Sequence, residues 1–144
     1  MKKLFIITDS YGTIIEARQT KAQATKRTKD LDNPEKGVFY TASPDNLCGI
    51  AVFGRRHQDR NGNTYHTADI CLFFSNGSRY TVKTPRAYGY GDQYTHTALN
   101  MLKLCGFIEK SQNDTWAPSL WQFCREHQIG FFSTFADVAR EKDL

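Results

Sequence analysis

Two Asn-Gly pairs constrain this 144-residue chain more than any other feature. Asn61-Gly62 lies between "LCGIAVFGRR" (47–56) and "YHTADICLFF" (65–74), and Asn76-Gly77 separates that run from "RYTVKT" (79–84). Asn and Gly take up the left-handed backbone that two-residue hairpin turns demand, and such turns match the twist of paired strands. Three apolar-rich runs joined in this way predict an antiparallel meander. "GVFYTAS" (37–43) adds a strand before it. "LFIIT" (4–8) and "TIIEAR" (13–18) read as a hairpin around Asp9-Ser10-Tyr11-Gly12.

Helical segments interrupt the strands. "TKAQATKRTKDL" (20–31) opens with Thr20 and Gln23 at capping-box spacing, and its apolar side is only Ala24, Thr28 and Leu31. Such a helix is mostly solvated. After Asp92, Tyr94, Ala98, Met101, Leu102 and Cys105 form one apolar stripe, with His96, Asn100 and Lys103 opposite and Gly106 at the C-terminal end. A further helix is expected near Pro118, with Leu120, Phe123, Cys124 and His127 on one face. Ser133 is expected to cap a short last helix reaching Glu141. The sum is an α+β domain over residues 1–144. It has an antiparallel meander of five to six strands, with three to four helices packed mainly on one face.

Composition narrows the function. No apolar run approaches the ~20 residues of a membrane span. "MKKLFIITDSYG" is too short in its apolar part for a signal peptide, so a cytoplasmic chain is expected. Cys48, Cys71, Cys105 and Cys124 show no C-x-x-C pairing and read as small apolar residues, so neither a metal nor a cofactor is expected. A net charge of +4 permits a polyanionic partner without demanding one.

The segment "RAYGYGDQYTH" (86–96) is the leading candidate site. Gly89 and Gly91 precede a helix N-terminus, where a phosphate could dock. Asp92 argues against that, because its carboxylate is expected to occupy the same N–H groups. Arg86, Tyr88 and Tyr90 alternate, so in extended chain they project to one side, and these are the side chains that most often anchor interfaces. Arg55, Arg56 and Arg60 form a basic hairpin that could meet nucleic acid or an acidic protein face. Lys21, Lys26, Arg27 and Lys29 spread around the first helix and form no stripe.

The stretch "GYGDQYTHTALNML" resembles segments in small accessory proteins of bacteriophages and mobile elements. The likeness covers about fifteen residues and implies a binding protein of anti-defence type, acting on a host protein or ribonucleoprotein complex; it carries over no functional residue. Two other readings stand beside it. One is nucleic-acid binding through the basic hairpin and first helix. The other is a two-histidine phosphoesterase built on His66-Thr67 and His96-Thr97, which departs from the His-x-Thr pattern because each threonine adjoins its histidine. His57 with Asp59 and Asp69, and Cys124 with His127, lack the partners that catalysis requires. The expectation is a chain that grips and does not transform.

Overall fold

A computed structural model describes residues 2–11, 13–109 and 119–144. Both hairpins turn at the Asn-Gly pairs, but only the glycines are left-handed, Gly62 at φ 85° and Gly77 at φ 86°. Asp59 N donates to the Asn63 carbonyl and Phe74 N to that of Ser78, so each loop is longer than the two-residue turn expected. At the first turn, Asp59 Oδ1 accepts from the amides of Asn61 and Asn63, and Asn63 Nδ2 donates to Oδ2. The turns join β3 (Tyr40–Gln58), β4 (Thr64–Phe74) and β5 (Arg79–Lys83) into the antiparallel meander. β1 (Lys2–Asp9) and β2 (Ile14–Arg18) form the first hairpin, and the strand order is β2-β1-β3-β4-β5. Asp9 Oδ1 caps this hairpin by accepting from the amides of Tyr11 and Thr13; Gly12 lies outside the described residues. The two-residue β6 (Ala87–Tyr88) pairs with β4 opposite Tyr65 and His66.

Two expectations are corrected. The two strands at 37–43 and 47–56 are one strand, β3, whose first part pairs with β1 and whose second part pairs with β4. Pro44 does not break it, because β4 joins β3 only from Leu47 onward and leaves Pro44 a free flank. The helix expected from Ser133 to Glu141 is instead β7 (Gly130–Asp137), followed by a 3-10 turn at Glu141–Asp143. β7 runs parallel to β3, from Gly49 beside Gly130 to Arg56 beside Asp137. β4 occupies one flank of β3 over those residues, so β7 takes the other, beyond the end of β1. An open ladder and strand-favouring phenylalanines overrode the helix cap that Ser133 suggests.

α1 (Lys21–Leu31) has the complete capping box of Thr20 and Gln23 and buries Ala24 and Thr28 alone, as its thin apolar side implied. α2 (Gln93–Leu104) and α3 (Leu120–Glu126) bring Tyr94, Ala98, Leu99, Leu102, Leu120, Phe123 and Cys124 to a core built on Leu4, Ile6, Ile50, Val52, Ala68, Ile70 and Leu72. α3 is capped by Ser119; Pro118 lies outside the described residues. Lys103, expected on the solvated side of α2, is buried, and Leu99 joins the stripe. α2 lies between the sheet and neighbouring segments, so its covered sector is wider than one stripe; the long aliphatic stem of Lys103 suits such a place. Gly54 lets α2 approach, because a Cβ there would stand 2.7 Å from the Tyr94 ring.

Candidate interaction surface

Residues alternate across a strand, so the β3–β4 register fixes which side chains share a face. Gly49, Ala51, Phe53, Arg55 and His57 stand beside Phe73, Cys71, Asp69, Thr67 and Tyr65. β7 adds Phe132 next to Ala51. This face is opposite to the one that carries Ile50, Val52, Ile70 and Leu72 into the core. Phe53, Phe73 and Phe132 are 42%, 38% and 57% exposed there, and the Phe53 and Phe132 rings lie 6.0 Å apart. The sequence reading missed this group, because Phe132 reaches Phe53 only through the unexpected parallel strand.

The same face carries the Arg86–Tyr90 segment. β6 sets Tyr88 beside Tyr65, with edge-on rings at 5.7 Å. Tyr90 is edge-on to Tyr88 at 5.4 Å, and their hydroxyls are 2.8 Å apart. That contact raises the Tyr88 pKa above the ordinary phenol value. The Arg86 guanidinium lies 4.0 Å from the centre of the Tyr65 ring and forms an ion pair with Glu141. Arg86, Tyr88 and Tyr90 thus gather as their alternation implied, around a fourth member, Tyr65. More than half of each of Tyr88 and Tyr90 is open to solvent.

The arginines of the basic hairpin part ways. Arg55 is paired with Asp69. Arg56 points to the core side, donates to both oxygens of Asp137 at 2.9 and 3.2 Å, and covers the Phe135 ring at 3.6 Å. Arg60 is exposed at the turn and, among the described residues, has no carboxylate partner. Arg55, Arg56 and Arg86 therefore each carry a carboxylate from their own chain. A second cationic region, a cleft of about 560 Å³, is lined by Arg18, Lys26, Arg27 and Lys103 together with Asp30 and Glu109. Glu16 holds Arg18 at 3.0 Å and Arg27 at 2.6 Å beside it.

Asp92 does not cap α2 with its side chain. Its backbone is already turn-like (φ −87°, ψ 14°), unlike the extended backbone from which a capping side chain reaches forward. Backbone carbonyls take the local amides: Gly89 N donates to Thr64, Gln93 N to Tyr90 and Thr95 N to Asp92. Those N–H groups are not offered to a phosphate, though for a different reason than expected.

The histidines have separate surroundings. His66 is 1% exposed, with Nε2 2.7 Å from Thr97 Oγ1. Thr97 Oγ1 also lies 3.2 Å from the Gln93 carbonyl, and the buried Nδ1 has no well-formed hydrogen bond. Burial holds the His66 pKa below the usual imidazole value; the nearby Gly89 backbone only partly opposes this. His96 is exposed and lines a shallow depression with Tyr90, Asp92 and Gln93. His57 Nδ1 sits 3.2 Å from the Val138 carbonyl, while Asp59 is used by its turn and Asp69 by Arg55. His127 packs its ring 4.6 Å from Phe123, and burial pushes the Cys124 thiol up to about 12, so that pair makes no thiolate at neutral pH. Among the described residues no three His, Cys, Asp or Glu side chains gather as a metal set, and no helix is long and apolar enough to cross a membrane.

Compared with known proteins, the chain matches no family model, no curated protein and no solved structure.

Proposed function

We propose that this chain is a non-catalytic binding protein, an accessory protein of the phage or mobile-element type. It modulates a host protein or ribonucleoprotein complex in the cytoplasm through the face bearing Tyr65, Arg86, Tyr88 and Tyr90. The observation that carries this reading is the exposed tyrosine pair braced by Tyr65 and Arg86. Rigid aromatic side chains with a polar tip give large contact area at small entropic cost, which is why they anchor protein interfaces. Phe53, Phe73 and Phe132 extend the apolar area along the same face.

The arginines favour a protein over a nucleic acid as partner. A phosphate-binding surface gains its affinity by releasing counterions from unneutralised cations. Here Arg55 and Arg56 are already paired within the chain, so a phosphate contact there would compete with an internal carboxylate. The nucleic-acid reading keeps the exposed Arg60, the exposed Lys21, Lys26 and Lys29 of α1, and the open aromatic rings, on which unpaired bases could stack.

Replacing Arg86, Tyr88 and Tyr90 together by Ala should abolish capture of the partner from a host extract while leaving the thermal midpoint within a few degrees of the parent. Undiminished capture would remove this surface from consideration. Mobility shifts with single- and double-stranded probes at two salt concentrations separate the alternatives, because the protein-binding reading expects no shift from nucleic acid alone.

A further inference from the structure

The last seven residues of the chain, 138–144, cross the sheet. β7 ends on the flank of β3 away from β4, yet the Leu144 carbonyl accepts from Lys83 Nζ at 3.0 Å, and Lys83 belongs to β5 on the far side of β4. Covering three strand spacings takes about 14 Å, within reach of seven residues. The path can be followed: the Val138 carbonyl meets His57, Glu141 meets Arg86 above the Tyr65 ring, and Leu144 meets Lys83, the ladder partner of Asp69. His57, Tyr65 and Asp69 all stand on the outer face, so the segment is a strap over it. Thr67, between Tyr65 and Asp69 on that face, is 4% exposed and has an unbonded hydroxyl.

The latches are weak by their nature. Arg86 and Glu141 are each about half exposed, and such ion pairs contribute little. Beneath them lie groups that suit a peptide: a guanidinium stacked on tyrosine, an ammonium bonded to a main-chain oxygen, and an unused hydroxyl. We propose that residues 138–144 are a displaceable occupant of a peptide-binding groove formed by Tyr65, Thr67, Lys83, Arg86 and Tyr88. The partner's contribution is a segment that offers a carboxylate to Arg86 and a main-chain oxygen to Lys83, and it takes the strap's place. The inference rests on the binding reading above and gives its partner a chemistry.

The test uses full-chain variants and a fluorescein-labelled VAREKDL peptide, the strap's own sequence. Glu141→Lys should release the strap, seen as faster amide exchange over 138–144, and should tighten peptide binding by at least about tenfold relative to the parent. The same peptide with Gln for its Glu should lose that gain. Glu35→Lys adds equal charge on a remote turn and should leave affinity within about twofold. Arg86→Glu combined with Glu141→Lys reverses the pair, and should restore slow exchange and weak binding, which separates release from misfolding. Unchanged exchange in Glu141→Lys, equal binding of the Gln peptide, or tighter binding of a single-stranded oligonucleotide would each overturn the proposal. A strap that opens as described, in a chain that captures no host protein, would leave this device standing and remove the host-protein reading.

Discussion

At the scale of single residues, His66 illustrates how one neighbour settles chemistry. The Thr97 hydroxyl holds its Nε2, and burial disfavours the charged ring. In the unfolded chain the imidazole has its ordinary value near 6.5. As pH falls through that value, the unfolded state binds a proton that the folded state refuses, so stability declines below pH ~6.5 and levels off once the depressed folded pKa is passed. His66→Gln should therefore flatten the fall of the thermal midpoint between about pH 6.5 and 5. His127, also held low by burial, contributes a slope of the same sign. A slope unaltered by the substitution would mean that His66 is not the titrating group. From the sequence, His66 and His96 looked alike, each followed by a threonine. One became a core residue and the other a rim residue, because β4 turns His66 toward α2 while His96 lies on the solvated side of that helix.

At the scale of elements, the meander was legible because its signals are local. Asn-Gly turns, alternation and capping boxes each depend on a few adjacent residues, and the structure contains all of them. β7 was missed: "GFFSTFAD" holds strand-favouring Phe131, Phe132, Thr134 and Phe135, but Ser133 reads as a helix cap, and the parallel partner β3 is distant in sequence. Gly54 is the element-scale contact that most invites a test. Gly54→Ala would drive a methyl into the Tyr94 ring, and the accommodation should cost about 1–3 kcal/mol in chemical denaturation. An unchanged midpoint would show that α2 has slack against the sheet. The buried Lys103 teaches the same lesson as β7: a helical stripe read from sequence gives a direction, while its width depends on what packs alongside.

At the scale of the whole molecule, α2 and α3 share a core with Ile50, Val52, Ile70 and Leu72, while Phe53 and Phe73 on the other side of the same strands, with Phe132 of β7 beside them, stay exposed. Exposed rings contribute little to folding, so Phe53→Ser with Phe132→Ser should shift stability by no more than about 1 kcal/mol. The same change should shorten retention on a hydrophobic-interaction column and lower capture of a protein partner. Large destabilisation would mean that these rings hold the sheet together and are no part of an interface. The candidate site was half legible. Arg86, Tyr88 and Tyr90 follow from alternation, whereas Tyr65, Phe132 and the strap at Glu141 enter only through strand pairing.

The amino-acid sequence alone determined the antiparallel meander, the first helix and its cap, and the shared direction of the alternating arginine and tyrosines. Each of these arises from interactions between residues near one another in the chain. Tertiary structure decided the parallel seventh strand, the burial of His66, the pairing of Arg55, Arg56 and Arg86, and the path of the last seven residues. Those depend on pairings between residues far apart in sequence, whose partners are chosen by which flanks and charges remain unsatisfied once the local elements have formed.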